Sequence, residues 1–426
     1  MQPGAILAVF LALFFLEYGW GTFLSVLNIR HVRRNAAVVP ASFSGTIDTE
    51  TYARSIAYTT ARARFGFWVD AVSSAALLAI VLTGILGVID ESARAVPVHP
   101  YLQGLLFSAA VGALFWLLGL PFSLYSTFSL EARFGFNRTT PRLYAFDTLK
   151  GLALSAAIGA PVLLGLFWFI DRTGRFWWIW AFGALALFQL VMQVLSPLLI
   201  APLFNRFTPL PEGPLRDRIT ALAEKLRFRT RGIFVMDGSR RSGHSNAYFT
   251  GLGRTKRIVL FDTLVSGAGE EEILSVLAHE IGHEKRRHLQ KGIAVSIVLS
   301  LLGFWVLSLL LPLLPLYQAF GFRQPGSPAL LVLVAVFSGP FSSLLQPLFS
   351  AWSRRHEYEA DRFAAAAVGS PAGMKAALLR VSRDNLSNLT PHPLYSAWHY
   401  SHPTVAERIS ALDAFAAAFG AGAARS

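Results

Sequence analysis

Two histidines four residues apart with a glutamate between them, His279-Glu280-Ile281-Gly282-His283, are the residues of this 426-residue chain best suited to chemistry. On a helix that spacing puts both imidazoles on one face, about 5–6 Å apart at Cβ, where they can share one metal ion. Glu280 then sits where it can take a proton from a water beside the ion. The plain alternative is chance co-occurrence of three residues. There is no cysteine, so disulfides and thiolate ligands are both excluded, and any metal is held by nitrogen and oxygen. The expected cofactor is Zn2+, one per chain.

A hydrolytic zinc needs a third protein ligand and an open position. The best source is Ser353-Arg354-Arg355-His356-Glu357-Tyr358-Glu359-Ala360-Asp361. Glu357 and Asp361 share a helix face at i, i+4, so one carboxylate can bind metal while the other orients a ligand. Spacing alone does not choose between this and a charged helix end at a membrane surface, where Arg354 and Arg355 also belong. Glu359 is expected to point away from that face, and His356 is a weaker competitor as ligand. His288 is off the ligand spacing and reads as a solvated helix end. A third polar cluster, His399-Tyr400-Ser401-His402-Pro403-Thr404, precedes Glu407 and Arg408. Thr404 suits the N-cap of a following helix. His402 can donate a hydrogen bond to a developing oxyanion, although a capped surface helix with incidental histidines explains the same residues.

These side chains need elements to carry them. Ser266 is a plausible N-cap for the histidine helix, Glu270, Glu271 and Glu272 suit its positive end, and Ile273, Val276, Leu277 and Ile281 form its buried side. Upstream, the pattern predicts a helix near 215–226, a strand at 233–236, and a hairpin of 246–250 with 257–261 around a turn at 251–255.

The rest of the chain points to a bilayer. It is 54% hydrophobic with only 15% charged residues, and its mean hydropathy is +0.48, too little polar surface for a soluble domain of this length. Seven apolar runs, 4–27, 69–89, 105–125, 152–170, 176–200, 292–317 and 329–352, are each long enough to cross ~30 Å of hydrocarbon. The first lacks a basic leader and reads as a span, not a signal peptide. The fourth and fifth form a tight helical hairpin. Lys and Arg number six, four, sixteen and eight in the segments on one side of this topology, against none, one, two and one on the other. That asymmetry places the N-terminus outside and the basic side in the cytoplasm. The net charge of +13 is therefore topological, and nucleic acid is not expected as a partner. Polar groups within the spans, Glu17 above all, suggest a hydrated interior or an ion-pair partner. The organisation expected is a five-span region over 1–200, a cytoplasmic catalytic loop over 201–291, two spans over 292–352, and a cytoplasmic tail over 353–426 carrying the third ligand.

With these clusters in place, the chain resembles the integral-membrane CAAX prenyl proteases of type I. The resemblance runs through Glu131-Ala132-Arg133-Phe134-Gly135-Phe136-Asn137, Pro202-Leu203-Phe204-Asn205 with Thr208-Pro209-Leu210, Ser245-Asn246-Ala247-Tyr248-Phe249, and Arg257 to Leu264. It continues through His279 to His283, Glu357 to Asp361, and Ser401-His402-Pro403. It implies a mainly α fold in which seven long helices enclose a water-filled chamber, joined to a zincin-like α+β catalytic part. It also implies a zinc endopeptidase in which His279, His283 and Glu357 bind the metal and Glu280 is the general base. Asp361 would stand behind the ligands, Arg408 would brace the zinc-side carboxylates, and Asn246 and His402 would contact the substrate backbone or oxyanion. Asn246, Ala247 and Tyr248 would lie on an edge strand that pairs with extended substrate. Expected partners are the lipid bilayer and peptide or protein substrates, including prenylated C-terminal tails or misfolded membrane proteins. Composition hints at a bacterial source and hence an inner membrane. The alternatives are a quality-control protease of the shorter HtpX type, a non-catalytic chamber with structural zinc, and a transporter. An intact Glu280 speaks against a merely structural zinc.

Overall fold

The computed structural model describes residues 2–251 and 256–423. Seven helices are long and apolar enough to cross a membrane. They are Pro3–Arg34, Thr49–Leu82, Pro100–Glu131, Pro141–Arg172, Gly174–Phe204, His288–Leu310 and Ser327–Val368. At most 28% of the apolar stretch of any of them is buried. In a solid bundle each helix would hide a stripe at least 100° wide. These helices pack against neighbours, the first on the second, the fourth on the fifth and the fifth on the sixth, and most of their apolar surface stays accessible.

Two apolar runs prove to be interrupted. The expected span at 69–89 ends at Leu82. Gly84 turns left-handed at φ +69°, and a separate helix, Ile85–Arg94, follows. This sharp turn lets two backbones meet, because a Cβ on Gly87 would lie 1.9 Å from the carbonyl oxygen of Gly321. The sixth span likewise stops at Leu310, before Pro312, and Leu314–Ala319 forms a short helix of its own. Around these breaks Phe10, Phe107, Tyr317, Phe320 and Leu330 form a fully buried cluster. Close packing of these side chains anchors one end of the helices. Glu17, on the first span, lies against Gly339 of the seventh, whose Cβ would be 3.5 Å from the carboxylate. Among the described residues Glu17 has no ion-pair partner.

The part that carries the histidine helix is a four-stranded sheet covered by helices. Its strands are β1 (Phe207–Pro209), β2 (Ile233–Met236), β3 (Ala247–Thr250) and β4 (Arg257–Phe261), in the order β1-β2-β4-β3. Strands β2 and β4 run parallel, while β1 and β3 are antiparallel to their neighbours. The expected pairing of β3 with β4 is present, and among the described residues no strand pairs with the other edge of β3. The turn joining them, at 251–255, falls outside the described residues beyond Gly251. Helix Pro214–Lys225 matches the expected one within a residue. Ile219, Ile258, Leu260, Ile273, Leu277 and Ile281 bury together with Ala364 of the seventh span and bind sheet, histidine helix and membrane helix into one core.

Candidate metal centre

The histidine helix spans Glu270–Lys285. Ser266 does not cap it. Ser266 belongs to the short helix Asp262–Gly267, and the cap is Gly269, whose N–H donates to Glu272 Oε2 at 3.1 Å. Three glutamates in the first turn face the positive end of the helix dipole. Arg218 bonds Glu270 at 2.9 Å, and Arg380 bonds Glu272 at 3.2 Å through Nη2. The helix lies on the seventh span at Gly282, where a Cβ would be 3.2 Å from Ala360 Cα and 3.1 Å from the Phe363 ring. This contact lets Glu357 reach the histidines. Glu357 and Asp361 belong to the same uninterrupted 42-residue helix that crosses the membrane.

Two imidazole nitrogens and the two oxygens of one carboxylate converge. His279 Nε2 is 3.1 Å from His283 Nε2, His283 Nε2 is 3.3 Å from Glu357 Oε1, and His279 Nε2 is 3.5 Å from Glu357 Oε2. Ligands 2.0–2.1 Å from a tetrahedral zinc are separated by about 3.3 Å, so the three residues stand at separations that suit one zinc ion. Glu357 Oε2 is buried without a hydrogen-bond partner. Arg408, in ion-pair reach, offsets part of the cost of that unbonded oxygen, and a metal ion would supply the rest. The donor set of two imidazoles and one carboxylate suits the same ion. No other group of three or more such residues close enough to hold a metal occurs among the described residues.

Behind these ligands, His279 Nδ1 lies 2.8 Å from Asp361 Oδ1, and Arg408 clamps Asp361 through Nε at 2.8 Å and Nη2 at 2.6 Å. Arg408 Nη1 is also 3.4 Å from Glu357 Oε2. All four groups are buried. Burial opposes the imidazolium, but hydrogen bonds to Asp361 and then Glu357 outweigh it, and His279 is pushed up to about 9 in the metal-free site. Burial also raises Glu280 above the usual carboxylate range. Glu280 makes no hydrogen bond or ion pair among the described residues, so its carboxylate is uncommitted. His402 Nε2 lies 3.4 Å from Glu357 Oε1, and Thr404 caps helix Val405–Ala423 by accepting from Glu407 N–H at 3.3 Å. Asn246 is exposed at the start of β3 and accepts the Ala247 N–H through its side chain at 2.8 Å. Tyr248 is half-buried in β3, and Ala247 is buried.

The reading of His288 as a solvated helix end is wrong. His288 is 7% exposed. Arg287, at φ +57°, turns the chain left-handed between two helices and folds His288 back. His288 Nδ1 then lies 3.0 Å from His283 Nδ1, while its Nε2 is 3.2 Å from Glu359 Oε2. Its ring stacks on His356 at 3.8 Å. His283 is thus backed by a histidine and a carboxylate, as His279 is backed by Asp361. The helical spacing of Glu359 hid this, because the relay depends on a bend between helices. A non-glycine residue in that conformation costs ~1–2 kcal/mol, and nothing in the local pattern announces it.

Comparison with known proteins agrees with this geometry. Residues 28–206 match the family model for the CAAX prenyl protease N-terminal region, five membrane helices, and residues 209–416 match peptidase family M48. The chain is 37% identical to the CAAX prenyl protease 1 homolog of Oryza sativa subsp. japonica over 93% of this chain and 95% of that one. It is 37% identical to CAAX prenyl protease 1 of Saccharomyces cerevisiae over 92% of each, and 33% identical to the Homo sapiens homolog over 93% and 92%. The crystal structure of S. mikatae Ste24p superposes with a TM-score of 0.90 at 34% identity, covering 96% of this chain and 99% of that one. Coverage of this extent, including the five-helix region, disfavours the shorter HtpX-type reading. The chain belongs to the type I CAAX prenyl protease family of M48 peptidases, and it is a multi-pass membrane metalloendopeptidase.

Proposed function

We propose that the metal is zinc, held by His279, His283 and Glu357, and that the protein cleaves extended peptide segments bearing a prenylated C-terminal tail, with the site facing the cytoplasm. The convergence of the three residues, whose ligand atoms approach to 3.1–3.5 Å pair by pair, carries this reading. Zinc, when bound, would supply a Lewis acid that polarises the scissile carbonyl and acidifies water towards a pKa of ~7. Glu280 takes the proton of the attacking water and later delivers it to the leaving amine. His402, beside Glu357 and exposed to the cavity, donates to the carbonyl oxygen as charge develops there. Asp361 holds the ring of His279, and Arg408 holds Asp361. Substrate backbone pairs with the free edge of β3 at Ala247 and Tyr248, with Asn246 at its entrance. The concentration of Lys and Arg in the segments that carry the site supports the cytoplasmic orientation.

Glu280→Gln tests the chemistry. It keeps one zinc per chain and lowers turnover of a farnesylated peptide by about 10²–10⁴-fold. Cleavage at the wild-type rate by that variant would overturn the assignment. Equal rates on farnesylated and unmodified peptides would remove the prenyl requirement and leave the peptidase.

A further inference from the structure

Glu131 closes the third span, and the hydrolytic chemistry makes no use of it. The span ends in a π-helical turn, Ser126–Glu131. Such turns gather at functional positions, where they re-aim a side chain at a cost in backbone bonding. Here the turn sets Glu131 against the loop that leads into β3. Its Oε1 accepts from the Tyr58 hydroxyl at 2.7 Å, and Tyr58, on the second span, is 3% exposed. Its Oε2 is buried and has no hydrogen-bond partner among the described residues. His244 Nε2 faces that oxygen at 3.6 Å, in ion-pair reach.

His244 is held from several directions. Its ring stacks on Phe136 at 4.2 Å and 19°, and its Nδ1 lies 2.9 Å from Asn385 Oδ1. Its N–H donates to Ser242 Oγ at 3.2 Å, and its carbonyl accepts from Thr263 Oγ1 at 3.0 Å. The residues before it are pinned to the turn that follows the third span. Gly243 N–H donates to the Phe136 carbonyl at 3.0 Å, and Arg138 N–H donates to the Arg241 carbonyl at 3.1 Å. Arg241 in turn grips Asp147 of the fourth span through Nε at 2.8 Å and Nη2 at 3.2 Å. Three residues after His244, about 10 Å of extended chain, β3 begins at Ala247.

Among the described residues β3 pairs with β4 alone. A strand with one partner is free to shift, and a substrate that pairs with its other edge must first order it, which weakens binding. The contact between His244 and the unbonded oxygen of Glu131 joins the entry of that strand to the second and third spans. We propose that His244 and Glu131 are positioning residues that fix the edge of β3 in register with the membrane helices, preorganised for substrate pairing. They act through the backbone of β3 and not on the metal. This inference rests on the pairing of substrate with β3 proposed above.

The experiment uses the full, zinc-loaded chain and a farnesylated peptide in which each backbone amide near the scissile bond, the scissile one excepted, is N-methylated in turn. Each methylation deletes one possible strand hydrogen bond. In wild type, methylation at one or more positions should lower kcat/KM about 3–10-fold. His244→Phe keeps a ring on Phe136, and Glu131→Ala removes the carboxylate. Each variant should keep one zinc per chain and lose about tenfold in kcat/KM on the unmethylated peptide, mainly through KM. In each, the methylation penalty at those positions should shrink below about twofold. Glu131→Gln, which keeps an acceptor for Tyr58 and a polar group towards His244, should recover part of both effects. A full methylation penalty in both His244→Phe and Glu131→Ala would show that the strand is ordered without the pair and would overturn the proposal. Loss of zinc from both variants would overturn it too, because the pair would then support the site as a whole. Absence of any methylation penalty in wild type would overturn the β3 pairing reading and the proposal with it, so the wild-type series tells the two failures apart.

Discussion

His288→Phe isolates the support behind the second histidine ligand. Phenylalanine keeps a flat ring on His356, where the rings now stack at 3.8 Å and 9°, so packing is largely preserved. It removes the partner of His283 Nδ1 at 3.0 Å and the link to Glu359 at 3.2 Å. The tautomer follows from the geometry. With Nε2 turned to the metal, His283 Nδ1–H donates to His288 Nδ1, and His288 Nε2–H donates to Glu359. Without His288, a donor next to the buried cluster loses its acceptor, at about 1–3 kcal/mol. That range agrees with the 10–100-fold loss of metal affinity typical when a group behind a ligand is removed. The assay is competition against a chromophoric chelator at fixed pH, with the thermal midpoint of the metal-free protein measured in parallel. Metal affinity should fall about 10–100-fold while the metal-free midpoint stays near wild type. Unchanged affinity in His288→Phe would show that the relay does not orient His283 and would refute the reasoning. Glu359→Gln keeps an acceptor oxygen and should lose less.

Metal loading should depend on pH in a direction set by His279. Its pKa in the metal-free site is pushed up to about 9, so near neutral pH the cation must displace a proton, and affinity should rise about tenfold per unit from pH 7 towards 9 and flatten beyond it. Chelator competition at stepped pH checks this, and a flat profile would contradict it. Gly282→Ala should move the histidine helix a few tenths of an ångström from the seventh span, because its new Cβ meets Ala360 Cα at 3.2 Å. A loss of roughly 1–3 kcal/mol in thermal stability together with weaker metal binding is expected, and loss of stability with unchanged metal affinity would show that the site does not feel this contact.

What could be read in the amino-acid sequence divides along physical lines. The histidine pair was legible because helix periodicity is local, and His279 and His283 needed only 3.6 residues per turn to meet. Strands β2 and β4 were legible at their observed limits because short β-branched and apolar runs lay between turn residues. The second span was misplaced for the opposite reason. The half of Thr49–Leu82 that carries Arg54, Arg62 and Arg64 is helical but not apolar, so hydropathy passes over it, while the apolar stretch after it is broken at Gly84 by a left-handed turn. His288 was misread because its environment is created by Arg287 in a conformation that no pattern of residue types predicts.

These misreadings share a cause that bears on function. Spacing rules describe one helix at a time, and in this protein the decisive contacts join helices that a hydropathy profile treats separately. Two ligand candidates sit on the helix above the sheet, and the third sits on a helix rooted in the membrane. Gly282 sets how closely the two approach, and Arg408 and Asp361 tie them from behind. A shift of the seventh span of even 1 Å would alter two of the three ligand separations, since both involve Glu357. A bound metal must therefore hold the catalytic part and the chamber wall in one register, and the strength of that clamp is coupled to the packing of the membrane helix itself.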